Sequence, residues 1–140
     1  MVKPGINLAA LVIALATLGH GAWAQQADVQ AAPPTGGEAI NILLSDYAFA
    51  PAALNLKAGT AYHLHFTNAG TKDHDFTARE FFAASQVAPE DQAKIKRGTV
   101  EVEKGKDIDV TVTPGAGNYK VTCTHFMHSA MGMHGTITVQ

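Results

Sequence analysis

One segment concentrates groups able to hold a metal ion: Cys123-Thr-His-Phe-Met-His128-Ser-Ala-Met-Gly-Met133-His-Gly. It sets a thiol, an imidazole and a thioether at regular intervals on a stretch too short to be anything but one loop between two strands. Thiolate and thioether are soft donors that suit Cu(I), and imidazole serves both oxidation states of copper. Zinc would accept the thiolate and imidazole, but the thioether favours copper. A copper site built from two histidines, a cysteine and a weak axial methionine needs a second imidazole from elsewhere. His74 is the candidate, lying just after a strand-like run in Asn68-Ala-Gly-Thr-Lys-Asp-His74-Asp-Phe76. Residue type alone leaves Met131 and Met133 open as the thioether.

Cys123 is the only cysteine, so the chain can close no disulfide on itself. A free thiol in an oxidising compartment is a liability unless something occupies it. A dinuclear copper centre of the respiratory oxidase type is excluded, because it needs two bridging cysteines. His63 and His65 alternate along one strand face and could chelate a second metal, although outward-facing, solvated side chains are the expectation. His125 stands close enough to the loop's ligands to support them from behind. His134 lacks ligand spacing, and Met127 reads as a surface residue.

These groups need a frame, and the rest of the sequence reads as short strands. Ala39–Ser45, Ala53–Lys57, Tyr62–Thr67, Thr99–Glu103, Ile108–Val112, Tyr119–Cys123 and Thr136–Val139 are β-type runs separated by Gly, Pro and Asn turns. In Tyr62-His-Leu-His-Phe66 the apolar residues fall on one face. The pattern predicts an all-β antiparallel sandwich or barrel. An immunoglobulin-like sandwich with its bridging cystine is ruled out by the single cysteine. Arg79–Gln86 and Pro89–Ile95 break the pattern and predict a short helical insert, with Pro89 in the first turn followed by Glu90 and Asp91.

Three stretches resemble the cupredoxins, the family of plastocyanin, azurin and auracyanin. Asp46-Tyr-Ala-Phe-Ala-Pro51 followed by Lys57-Ala-Gly-Thr60 is similar to the family's opening strands. Phe66-Thr-Asn68 through His74-Asp-Phe76 resembles the segment that supplies the first histidine. Cys123 to Thr136 resembles the ligand loop, with a Cys-x4-His-x4-Met spacing like that of auracyanin. The resemblance runs from about residue 39 to the end, apart from the insert. Family loops often carry Pro-Gly before the second histidine, where this chain has Phe126-Met127. The resemblance implies a Greek-key β-sandwich of the cupredoxin type and one type 1 copper held by His74, Cys123, His128 and Met133. Met133 rather than Met131 fits the family's Gly-Met-x-Gly turn, and Gly132 supplies a bend just before it. His128 would then turn a ring edge to solvent as an electron port. Phe126, Met127, Ala130 and Met131 would form an apolar docking patch around it for redox partner proteins.

The N-terminus reads as an export signal. Lys3 precedes an apolar run, Leu8–Leu18, and Ala22-Trp-Ala24 offers a cleavage site after Ala24. The run is shorter than the roughly 20 residues of a spanning helix, so no stable membrane insertion is expected. The expected order is a signal at 1–24, a flexible Pro/Gly/Ala-rich lead at 25–38 and one copper-binding domain at 39–140, exported to the periplasm and monomeric. Cleavage removes one lysine from a chain of net charge −2, leaving −3. With no basic stripe, nucleic acid is not an expected partner. The sequence thus reads as a one-electron carrier rather than an enzyme, with a periplasmic copper carrier or storage protein as the alternative.

Overall fold

The computed structural model describes residues 37–140, so the expected signal and most of the lead lie outside the described residues. Eleven strands occur in chain order: β1 Glu38–Ser45, β2 Ala48–Ala50, β3 Ala53–Leu56, β4 Tyr62–Asn68, β5 His74–Thr77, β6 Ser85–Val87, β7 Ile95–Lys96, β8 Thr99–Val102, β9 Asp107–Pro114, β10 Gly117–Thr122 and β11 His134–Val139. A short helix, α1 (Arg79–Ala83), and a 3-10 helix over Pro89–Lys94 make up the insert. Among the described residues no helix is long and apolar enough to cross a membrane.

The strands form two sheets, β2-β1-β4-β9-β6 and β3-β11-β10-β5-β8-β7. Their inner faces share one core. β4 shows how alternation builds it: Tyr62, Leu64 and Phe66 are buried, with Phe66 against Phe76, while His63 and His65 fall on the outer face. From β11, Ile137 and Val139 enter the same core.

The all-β sandwich with a short helical insert is as expected, but the sheets are not purely antiparallel. β1 pairs parallel to β4, and β3 pairs parallel to β11. The cause is the crossing at Ala50–Ala53, where the chain leaves the first sheet at β2 and joins the second at β3, so β4 returns beside β1 in the same direction. The helical reading of Arg79–Gln86 is corrected at its end. Ser85 and Gln86 belong to β6, paired with Pro114 and Thr113 of β9. Where the helix ends, the Ser85 hydroxyl bonds back to the Phe81 carbonyl at 2.7 Å. β1 opens at Glu38, one residue before the expected domain start.

Candidate metal centre

Three loops meet at one end of the sandwich: the β1–β2 turn (Asp46, Tyr47), the β4–β5 loop (residues 69–73) and the β10–β11 loop (residues 123–133). Cys123 follows β10 directly, and its backbone N–H bonds to the carbonyl of Met133 at 3.2 Å, closing the base of its loop. Inside the loop, Met133 N–H and Met131 N–H both donate to the His128 carbonyl, at 3.1 and 3.2 Å. Gly132 has φ +104, a conformation that side-chain-bearing residues rarely adopt. This bend separates the two thioethers: Met133 is fully buried, whereas Met131 is 57% exposed.

His74 opens β5 and reaches the same point from the other side. Asn68 fixes the loop that delivers it. Its amide donates to the carbonyls of Lys72 (2.9 Å) and Val102 (2.8 Å) and accepts from Gly70 N–H (2.9 Å). Gly70 must be glycine for packing reasons, because a Cβ there would lie 2.5 Å from His74 Nε2. That nitrogen lies 3.2 Å from Asp46 Oδ1, and Asp46 is itself held by the Thr71 amide and hydroxyl. With Nε2 occupied, His74 presents Nδ1 inward.

The inward atoms converge. Cys123 Sγ lies 3.4 Å from His128 Nδ1 and 3.9 Å from His74 Nδ1, and the two imidazole centroids are 4.7 Å apart. All three residues are buried, with His128 alone keeping a trace of exposure, 6%. Burial pushes the Cys123 thiol above its ordinary value, while the N–H groups of Asp75 and His125 pull it back. Burial also lowers the His128 pKa, and the neighbouring His74 and His125 add to the effect. Burial thus disfavours the protonated, charged form of His128 and leaves that imidazole available to a cation, whereas a metal bound at the sulfur would have to displace the thiol proton. A thiol and two imidazoles around one point, with a buried thioether at the loop's base, make a donor set that fits copper.

Residues the sequence did not single out support these groups. Asp75, buried beside His74, donates its N–H toward Cys123 Sγ at 3.5 Å. Its carboxylate accepts both the amide and the hydroxyl of Thr124 and the hydroxyl of Thr77. The residue after the cysteine is thereby pinned to the strand that carries the first histidine. Tyr47 stands edge-on to the His128 ring at 5.5 Å. The only cue to Asp46 and Tyr47 lay in the opening-strand resemblance. His125, expected to support the ligands, bonds Glu101 at 2.6 Å and lies 5.6 Å from the His128 ring, centroid to centroid. Of the five large apolar residues exposed among those described, Phe126, Met127 and Met131 lie on this loop and Tyr47 touches His128.

Comparison with known proteins agrees with this geometry. The profile of the cupredoxin-like domain family matches residues 8–139. Among solved structures, auracyanin B is similar at 26% identity and TM-score 0.56, covering 78% of this chain and 93% of its own. Auracyanin A, a "blue" copper protein of the green thermophilic photosynthetic bacterium Chloroflexus aurantiacus, has 22% identity and TM-score 0.53, covering 75% of this chain and 100% of its own. A multicopper oxidase from Campylobacter jejuni, a metallo-oxidase, shares the fold at 14% identity and TM-score 0.57, over 77% of this chain but only 31% of its own. No curated protein sequence matches.

Proposed function

The chain belongs to the cupredoxin-like family, and we propose that it is an exported type 1 copper protein that carries single electrons between redox partners. The observation that carries this reading is the buried convergence of Cys123, His74 and His128 on one point, with Met133 buried at the base of the same loop. Copper bound there supplies a one-electron couple between Cu(II) and Cu(I). Cys123 would hold it as the thiolate, His74 and His128 through their Nδ1 atoms, and Met133 through its thioether. The Asp46–His74 contact and the Asp75 clamp on Thr124 hold the imidazole and the cysteine in place. Ligands fixed beforehand by the sheet move little when the charge changes, which keeps the barrier to transfer low.

His128 is the exit for the electron, because it alone of the three grouped ligands retains any contact with solvent. The apolar rim of Tyr47, Phe126, Met127 and Met131 suits brief docking of a redox partner, for which small interfaces suffice. Export to the periplasm rests on the Lys3, Leu8–Leu18 and Ala22-Trp-Ala24 order.

The exposed thioethers of Met127 and Met131 favour a second reading, a copper carrier that hands its ion on. Electrochemistry in the presence of a Cu(I) chelator separates the two. An electron carrier shows a reversible one-electron wave and keeps its copper through repeated cycles. A wave that decays as the chelator removes copper on reduction supports the metal carrier instead.

A further inference from the structure

A cleft of about 950 Å³ opens beside the helical insert. Four cations line it, Arg79, Lys94, Lys96 and Arg97, against one acid, Glu101. Outside the expected signal the chain has nine basic residues, ten less Lys3, against twelve acidic ones. A molecule of net negative charge therefore gathers four of its nine cations at one place. The Glu101 carboxylate is already bonded by His125 at 2.6 Å, and Lys94 pairs with Asp91 at 2.7 Å. Arg79, Lys96 and Arg97 have no ion-pair partner among the described residues.

Local conformation does not favour this gathering. β7 and β8 are joined by the two-residue turn Arg97-Gly98, with Lys96 paired across it to Thr99. Both turn residues have positive φ, +53 and +77. Tight hairpin turns of this kind favour Asn-Gly, because Asn tolerates the left-handed conformation that longer side chains rarely adopt. Arg97 stands in that position instead. Gly98 lets the turn lie against the start of α1: its carbonyl accepts the Ala78 N–H at 3.0 Å, and a Cβ there would sit 2.6 Å from the Arg79 Cα. The turn thus brings a second arginine to the cleft that Arg79 already lines. Unmatched like charges in a cleft raise its positive potential and draw anions to it. A side chain kept at a backbone cost, where neighbouring charges repel it, points to a ligand that uses it.

We propose that this cleft receives a carboxylate-rich surface of the redox partner, with Arg79 and Arg97 as its main contacts and Lys96 adding charge. The inference rests on the electron-carrier reading. Guanidinium forks match carboxylates in two-point hydrogen bonds. A cleft of this size takes several side chains, where a single inorganic anion would leave most of it to water. The acidic remainder of the surface repels the same partner, so the charge distribution orients the encounter. Thr124 lines the cleft and directly follows Cys123, so a partner seated there stands against the copper loop.

The test adds a hexa-aspartate peptide to the copper(I)-loaded protein at low ionic strength and follows NMR shifts, with hexalysine as the control. The expected shifts centre on Arg79, Lys96 to Thr99 and Thr124, and hexalysine produces none there. Affinity should fall about tenfold in Arg79→Gln and in Arg97→Asn, the loss of one charge-assisted contact each. It should fall again as salt rises to about 0.15 M. Arg97→Asn supplies the residue the turn favours, so its denaturant midpoint should not drop, which separates lost binding from lost folding. Shifts centred on other lysines, unchanged affinity in both variants, or displacement of the peptide by an equal concentration of sulfate would overturn the proposal. No electron moves in this measurement, so its failure is distinct from failure of the carrier reading, which voltammetry with the chelator tests.

Discussion

At the scale of single residues, the sharpest contrast is between two methionines on one loop. The bend at Gly132 buries Met133 and leaves Met131 exposed. A weak axial thioether stabilises Cu(I), so Met133→Gln should lower the potential and Met133→Leu should raise it. Each shift should reach at least about 59 mV, equivalent to a tenfold change in relative affinity for the two oxidation states. The same changes at Met131 should move it much less. Voltammetry of the four variants checks this, and the reverse ranking would reassign the axial position. Gly70→Ala drives a methyl group into His74 and Asp46, so it should destabilise the fold by about 1–3 kcal/mol. A denaturant titration should show this as an earlier midpoint. Cys123, His128 and Met133 were legible because their spacing is written within eleven residues. Asp46, Asp75 and Tyr47 were not, because they meet the site only after three loops distant in sequence have come together.

At the scale of elements, legibility followed exposure. β4 is buried on one face only, so its alternation marked it as a strand. β5 is buried along all four of its residues and has no alternation to read, although it carries His74 and Asp75. β2, β6 and β7 are two or three residues long, too short for a period to register. The insert is tied to the sheet by Asp91, a buried carboxylate that accepts the Lys94 ammonium and the Thr111 amide, each at 2.7 Å. Burial alone would raise the Asp91 pKa, but these two donors bring it below the ordinary carboxylate range. Its ionised form is therefore favoured in the folded state. That stability is present in full above the unfolded value of about 3.9 and is lost as pH falls through the lower folded value. Asp91→Asn should cost about 1–3 kcal/mol at neutral pH. It should also flatten the loss of stability in acid, which denaturant midpoints measured between neutral pH and pH 3 would reveal. An unchanged acid limb would remove Asp91 from its causes.

At the scale of the whole molecule, the sandwich is a support whose loops at one end gather the four proposed ligands. The gross fold was legible, since repeated short strands and a single cysteine leave few alternatives. The parallel pairings were not, because strand order depends on which sheet each strand joins and alternation says nothing of that. Export adds a prediction: N-terminal sequencing of the protein recovered from outside the cytoplasm should begin at Gln25, and an intact Met1 in a membrane fraction would count against it.

The most direct test of the copper reading is the visible spectrum of the mature protein loaded with one equivalent of Cu(II). Cys123 lies between two imidazole nitrogens at 3.4 and 3.9 Å, so copper held there must bond its sulfur. The predicted result is an intense thiolate-to-copper band that disappears in Cys123→Ser while the β-sheet circular dichroism stays the same. A wild-type protein that binds Cu(II) yet remains colourless would contradict it.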